Sequence, residues 1–456
     1  MTTIRTAKAA GGCAALVLAC VLAGGCSQKE EILTIAFSND MTGEIRSCGC
    51  TSKDFGGLGR RATFLRNERR TSSQLVLFEG GDFFGTKVNY GEEKAGLTLR
   101  SMAYMKYDGI VIGEKDLSLG VDYLVEQVVA LRVPVVVANL YDVEADTLIF
   151  QPNRVFTLPG GLRVGVIGVM GERLKLPLPP NSRRVRVKSA QAAVEREVAA
   201  IKDDVHLVVV LAHMSLVGLR KLGENNPDID LVVGGHDARA MRSPRRFGNA
   251  FVVQTANRGR YMGIARATVQ RNQGILDLSA NVAPLGIDYQ DHEAIVKLFQ
   301  SYDMEIARKE RVRVRASVPS GEHIKNRFAS SENCRSCHTD IYDHWGDTRH
   351  AHAFATLEGQ NRQYDRDCTP CHVTGFYQIG GFLSEEETPE FTNVQCEACH
   401  GNAGAHVRNP SRKTESQARV ACKTCHTAEQ TPDFEFGKYW ARIKHPPPED
   451  AHSGSK

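Results

Sequence analysis

The chain has 456 residues, 42% apolar and 24% charged, with 57 basic against 53 acidic side chains and a formal net charge of +4. That length exceeds one ordinary hydrophobic core and predicts two domains of soluble, globular type. A net charge of +4 over this length says little about partners, but no basic stripe is visible and no nucleic-acid partner is expected.

Arg5 and Lys8 precede an apolar run from Ala14 to Ala23 that is too short to span a bilayer stably. The run ends in Leu22-Ala23-Gly24-Gly25-Cys26, small residues before a cysteine, which resembles a bacterial lipoprotein box. Residues 1–26 are therefore expected to be an export signal, with Cys26 acylated and the protein held by its lipid on the periplasmic side or at the outer membrane. Plain cleavage into the periplasm is the alternative, because Ala23 stands where a larger aliphatic is usual.

A first domain is expected over 27–288, and within it residues 32–285 alternate strand-like and helix-like segments. Ile32–Phe37, Gln74–Phe78, Gly109–Gly113 and Pro134–Ala138 read as strands, and Gly59–Arg69, Lys94–Tyr107 and Val121–Leu131 as helices. Gly160-Gly161 marks a hairpin between two apolar runs. Ala190–Ile201 reads as a helix, His206–Leu211 and Ile229–Val233 as strands, and Phe251–Leu278 as a β-meander. This order predicts an α/β layered sandwich with mixed sheets. Asp291–Arg311 is a charged helical pattern with Ile295, Leu298, Phe299 and Met304 apolar, placed within a helical linker over 289–327.

From residue 328 to 448 the composition changes, and an eight-residue tail follows, 449–456. Eleven of the fifteen histidines lie from His323 onward, and eight of the thirteen cysteines fall in four copies of one pattern. The copies are Cys334-Arg-Ser-Cys337-His338, Cys368-Thr-Pro-Cys371-His372, Cys396-Glu-Ala-Cys399-His400 and Cys422-Lys-Thr-Cys425-His426. C-x-x-C-H is the attachment signature of c-type haem. The paired thiols reach the two vinyl groups of one porphyrin, and the next histidine binds iron as neutral imidazole. Four covalently bound haem c groups are expected, with His338, His372, His400 and His426 as proximal ligands. A mainly helical, loop-rich domain follows, because porphyrins supply the apolar mass that long aliphatic runs do not. The sixth iron position has seven spare histidines to draw on, of which His350, His352, His406 and His445 are the candidates; His323, His344 and His452 sit in polar context or at element ends.

Cys334-x-x-Cys-His with Trp345 and Arg349-His-Ala-His-Ala-Phe354, then Cys368-x-x-Cys-His-Val-Thr-Gly375, then Asn393-Val-Gln-Cys-Glu-Ala-Cys-His-Gly401 with His406, then Lys444-His445-Pro446, resemble the tetrahaem cytochrome c family whose best-known member accepts electrons from hydroxylamine oxidoreductase. The resemblance implies mostly bis-histidine haems stacked in close pairs, with one haem able to lack a distal ligand.

In residues 32–280, five ordered blocks resemble the metallophosphoesterase superfamily, in its exported 5′-nucleotidase branch. They are Ser38-Asn-Asp-Met-Thr-Gly43, Gly80-Gly-Asp82, Gly113-Glu-Lys-Asp116, Leu211-Ala-His213 and Gly234-Gly-His-Asp-Ala238. The resemblance implies a two-metal centre that binds phosphate and activates water, but Thr42, Glu114, Lys115 and Ala238 replace a ligand His, a ligand Asn, the His that steadies the transition state, and a final ligand His. One metal position, needing Asp40, Thr42, Asp82 and Ala238, keeps two usable side chains. The other, needing Asp82, Glu114, His213 and His236, keeps four, so the cofactor expectation includes one divalent ion. Either the centre is empty or weak, or Lys115 pairs with Glu114 or Asp116 and supplies a cation of its own. Cys48 and Cys50, two apart after the first block, are candidate redox thiols, soft ligands, or ordinary loop cysteines.

The expected function is electron transfer by an exported tetrahaem cytochrome. Its partners would be other redox proteins, such as multihaem cytochromes or quinol-linked complexes, and its degenerate N-terminal domain would bind a ligand or partner. The rival expectation is an enzyme: a multihaem reductase of a small nitrogen or sulfur compound, or a residual metal-dependent nucleotidase.

Overall fold

The structure, a computed structural model, describes residues 30–47, 54–86, 90–237, 239–317, 327–360, 362–365, 368–376, 378–412, 414, 418–427, 430–431 and 433–445. Cys26, Cys48, Cys50, Ala238, His323 and His452 lie outside the described residues.

The strands in chain order are β1 (Glu31–Ser38), β2 (Leu75–Glu79), β3 (Gly109–Ile110), β4 (Leu140–Asp142), β5 (Asn153–Thr157), β6 (Arg163–Met170), β7 (Val185–Val187), β8 (Leu207–Met214), β9 (Leu231–His236), β10 (Arg245–Phe247), β11 (Ala250–Val253), β12 (Tyr261–Gln270) and β13 (Gly274–Pro284). One sheet runs β13-β12-β1-β2-β3 and the other β10-β11-β9-β8-β6-β5. In the first, β1, β2 and β3 are parallel; in the second, β6, β8, β9 and β11 are parallel.

Side-chain alternation makes these two sheets a sandwich. In β1, Leu33, Ile35 and Phe37 face Val164, Val166, Val209, Leu211 and Val233 of the other sheet. On its outer face the first sheet carries α1 (Leu58–Thr71), α2 (Gly91–Met105) and α3 (Val121–Ala130), and the second carries α4 (Ala190–Ile201) and α5 (Leu216–Asn225). The result is the layered α/β sandwich that the strand–helix alternation predicts. Under α1 a polar cluster is fully enclosed. Arg61 and Glu79 pair at 3.4 Å, Ser38 Oγ donates to Glu79 Oε2 at 2.6 Å, and Arg61 Nη1 donates to Tyr107 Oη at 3.0 Å.

Three expectations need correction. Pro134–Ala138 is extended but joins no ladder. It crosses between the sheets, with Val136 N donating to Ile110 O and Ala138 N to Gly168 O, each sheet supplying one acceptor. The segment read as one meander is divided, because β11 pairs with β9 while β12 and β13 form a hairpin on the other sheet. The helix α6 (Glu293–Ser317) is not a free linker along its length. Ile295, Phe299, Tyr302 and Ile306, at helical spacing, are buried against α1 and α2, each such side chain contributing about 1.5–3 kcal/mol. Tyr302 and Ile306 continue the stripe that Met304 was expected to share, and Met304 is 67% exposed. Arg46 fixes the same helix through Asp303 at 2.6 Å and stacks over Phe299.

The C-terminal region is built of short helices: α7 (Ser330–Arg335), α8 (Thr339–Gly346), α9 (Ala353–Glu358), α10 (Cys396–His400), α11 (Gly404–Arg408), α12 (Ala418–Cys425) and α13 (Phe436–Trp440). Its apolar cluster is small: Phe328, Phe354, Leu357, Val373, Phe382 and Phe391. Buried carboxylate and amide side chains do much of the tying. Glu397 accepts from the backbone N–H groups of Ala329, Ser330 and Ala403 at 2.6–3.0 Å, and Gln395 accepts from Ser331.

Candidate functional site

Three of the four motif histidines face a second imidazole. The ring centres of His338 and His406 are 6.2 Å apart and nearly parallel; His350 and His426 are 6.3 Å apart, and His400 and His445 are 5.9 Å apart. A metal–nitrogen bond of about 2.0 Å plus about 1.1 Å to the ring centre places two imidazoles across one iron with centres about 6.2 Å apart. All three separations fit. Aromatic pairs also pack at such distances; what singles these three out is that each joins a motif histidine to a histidine outside the motifs.

Hydrogen bonds orient several of these rings. His406 Nδ1 donates to Arg412 O at 2.6 Å and His426 Nδ1 lies 3.0 Å from Thr431 Oγ1, which leaves Nε2 of each for a metal. Burial pushes the His350, His400 and His426 imidazoles below their ordinary pKa, favouring the neutral form that ligates. Of the two candidates in the 3₁₀ turn Arg349–His352, His350 faces His426, while His352 Nε2 is bound to Gly346 O at 3.0 Å. His372 Nδ1 donates to Ala353 O at 2.6 Å, and among the described residues no second imidazole faces its ring.

The four motifs form a line. The helix α7 bearing Cys334 packs on α10, α10 packs on α12, and α12 packs on the 3₁₀ turn Thr369–Cys371. Cys334 lies against Cys396 and Cys371 against Cys425, and none of the eight motif thiols is in a disulfide. The line therefore runs from the second motif through the fourth and third to the first, an order the sequence does not carry.

The second cluster forms where the carboxyl ends of the parallel strands of both sheets meet, the usual ligand position in such sheets. Asp40 follows β1, Asp82 follows β2, Glu114 follows β3, and His213 and His236 end β8 and β9. The backbone turns sharply there: Asp40, Thr42, Asp82 and His236 all have positive φ. The strand ends approach so closely that a Cβ on Gly235 would lie 2.0 Å from Gly80 O, which explains the glycines of both blocks. His213, fully buried, donates from Nδ1 to Gly80 O at 2.7 Å and holds Nε2 2.9 Å from Glu114 Oε2. Burial would lower the His213 pKa, but Glu114, Asp82 and Asp40 outweigh it and raise it to about 9. Burial likewise works to raise Glu114, yet His213 and His236 hold its carboxyl well below the usual range. Asp116, also fully buried, accepts from the N–H groups of Asp82, Phe84 and Gly113 and so braces the loop rather than facing the site.

Lys115 pairs with Glu114, one of its two expected partners, at 3.8 Å; its closer partner is the buried Asp82 carboxylate, which was not expected, and Asp116 is not a partner. The reason is local: the Lys115 backbone N–H already donates to Asp82 Oδ1, and Asp116 is consumed by backbone donors. The roles of Glu397 and Gln395 were not foreseen either; a buried Glu inside the third motif was the only available signal.

Comparison with known proteins divides the chain in the same way. A sequence model of the family "cytochrome c554 and c-prime" matches residues 333–401 and implies covalently bound haem c. The chain is 35% identical over 127 residues to cytochrome c-554 of Nitrosomonas europaea, covering 24% of this chain and 54% of that protein. It is 21% identical over 303 residues to a 5′-nucleotidase of Diplobatis ommata, covering 60% of this chain and 52% of that one. The chain thus spans about half the length of these curated relatives. Among solved structures, a 5′-nucleotidase precursor from Thermus thermophilus aligns at a TM-score of 0.55 with 17% identity, covering 73% of this chain and 68% of that one. The C-terminal part resembles the cytochrome family, and the N-terminal part has the metallophosphoesterase fold.

Proposed function

We propose that this chain is an exported electron-transfer protein whose C-terminal domain holds four haem c groups, three of them between histidine pairs. The observation that carries this reading is the set of three imidazole pairs at 5.9–6.3 Å, the separation an iron between them requires. Haem iron supplies one-electron chemistry when bound. The chain's own part is to hold each pair of rings at fixed distance and to keep the four motifs in line. His406, His350 and His445 act as distal ligands opposite His338, His426 and His400. Closing both axial positions of an iron favours outer-sphere electron passage over substrate binding.

The N-terminal domain is proposed to bind rather than to hydrolyse. Thr42 stands at a ligand position and Lys115 occupies Asp82, so the pair of ions that clamps phosphate and activates water has no complete ligand set. The leader fits export with a lipid on Cys26, and among the described residues no helix is long and apolar enough to cross a membrane.

A second reading, reduction of a small nitrogen or sulfur compound, is favoured by one observation: the absence of a facing imidazole at His372 among the described residues. Electron paramagnetic resonance of the oxidised protein tests both readings. About one iron in four in a high-spin state is expected. Four low-spin irons would remove the second reading, and rapid turnover of nitrite or hydroxylamine would replace the first.

A further inference from the structure

The N-terminal site fits one metal ion better than two or none. We propose that Glu114, His213 and His236, with Asp82, hold a single divalent transition-metal ion, and that the Lys115 ammonium permanently takes the place of a second. This deepens the proposal that the domain binds rather than hydrolyses, and it concerns a site separate from the haem ligands.

Three observations carry it. The ligand atoms of Glu114, His213 and His236 all lie within 4.8 Å of one another, and Asp82 Oδ1 is 3.6 Å from His213 Nε2. The tautomer of His213 is set by its bond to Gly80 O, which aims Nε2 into the cluster, as second-shell partners of metal-bound histidines do. His236 Nδ1 is buried 3.3 Å from Glu114 Oε1, an ion-pair contact that does not reach hydrogen-bond geometry. A buried ring nitrogen without a well-formed hydrogen bond is costly, and an ion shared with Glu114 and His213 would satisfy it.

The neighbouring position is spoiled. Asp40, Asp82 and His213 also converge there. However, Asp82 Oδ2 carries the Lys115 ammonium, and Asp40 Oδ2 accepts from Asn39 Nδ2 and the His236 N–H at 2.7 and 2.9 Å. A dication at that position would have to displace the ammonium from Asp82 Oδ2, whereas Asp82 Oδ1 lies on the His213 side. Two imidazoles and two carboxylates suit Zn²⁺ or Mn²⁺ and select against Mg²⁺ and Ca²⁺.

The test uses the full haem-loaded chain, stripped with chelator and equilibrated with Zn²⁺ or Mn²⁺, with metals counted by mass spectrometry against iron. One equivalent per chain is expected in the wild type. It should be lost in Glu114→Gln and His236→Ala, both chosen because neither removes a fully buried side chain. Lys115→Ala should bind a second equivalent, at least tenfold more tightly than any second ion on the wild type. No metal, two tight equivalents in the wild type, or one equivalent retained in both ligand variants overturns the site. A single equivalent in Lys115→Ala overturns the role of the lysine. The haem absorption and iron count of the same samples report separately on folding and on the cytochrome reading, so failure of one is distinguishable from failure of the other.

Discussion

Replacing His350 by Ala probes the ligand assignment most sharply. The ring centres of His350 and His426 are 6.3 Å apart, and the proposed assignment puts one haem iron between them. On that assignment, truncation would leave His426 as the only protein ligand and open the other side to water. The high-spin share of the oxidised protein should then rise from about one iron in four to about two in four, measured by integrating the paramagnetic signals. Added imidazole should return the share to its starting value, which separates a lost ligand from a misfolded domain. His352→Ala is the control. Its Nε2 is bound to Gly346 O, so the spin count should not change. If His352→Ala converts an iron and His350→Ala does not, the pairing is refuted.

Glu397→Ala strips the acceptor from three backbone N–H groups. At about 1–3 kcal/mol for each unsatisfied group, it should lower stability by at least about 3 kcal/mol in denaturant unfolding followed at the haem band. A loss below about 1 kcal/mol would show that porphyrin packing, not this carboxylate, secures the start of the domain. The buried Glu79 makes a pH prediction. Burial raises its pKa from 4.5 to about 6, against Arg61 and Ser38. The folded state therefore holds this proton more tightly than the unfolded chain. The associated stability is present below about pH 4.5 and lost as pH rises through 6, about 2 kcal/mol in all. Glu79→Gln should flatten that fall in a series of calorimetric melts, and an unchanged slope would count against it. Finally, the haem-loaded chain with Mn²⁺ or Mg²⁺ should hydrolyse AMP no faster than a protein-free control. Fast phosphate release would show that Thr42 and Lys115 had been misread.

Local pattern made most of the fold legible. Short apolar runs marked strands such as β1 and β8, which are buried on both faces along nearly their whole length, and burial at every third to fourth residue marked helices such as α4. What the pattern could not give was which sheet a strand joins. The residues of β11 look like neighbours of β12, yet β11 completes a parallel set whose other members lie earlier in the chain. The Pro134–Ala138 run has the composition of a strand, but the two sheets claim its backbone from opposite sides.

The candidate sites divide along the same line. C-x-x-C-H names both thiols and the proximal ligand outright, because that chemistry is local. Distal ligands depend on tertiary approach. His350 and His352 stand two residues apart in one 3₁₀ turn, so their rings leave the backbone in different directions, and only the position of α12 decides which one meets His426. The same holds for Lys115. Beside Glu114 and Asp116 in sequence, it has two plausible partners, but Asp116 is occupied by backbone donors and Glu114, shared by two imidazoles, is met only at 3.8 Å. Asp82, 33 residues away in the chain, is left with a buried charge and one free oxygen, and the ammonium goes there. A substitution that reads as the loss of a catalytic histidine thus becomes, once folded, a built-in counter-charge.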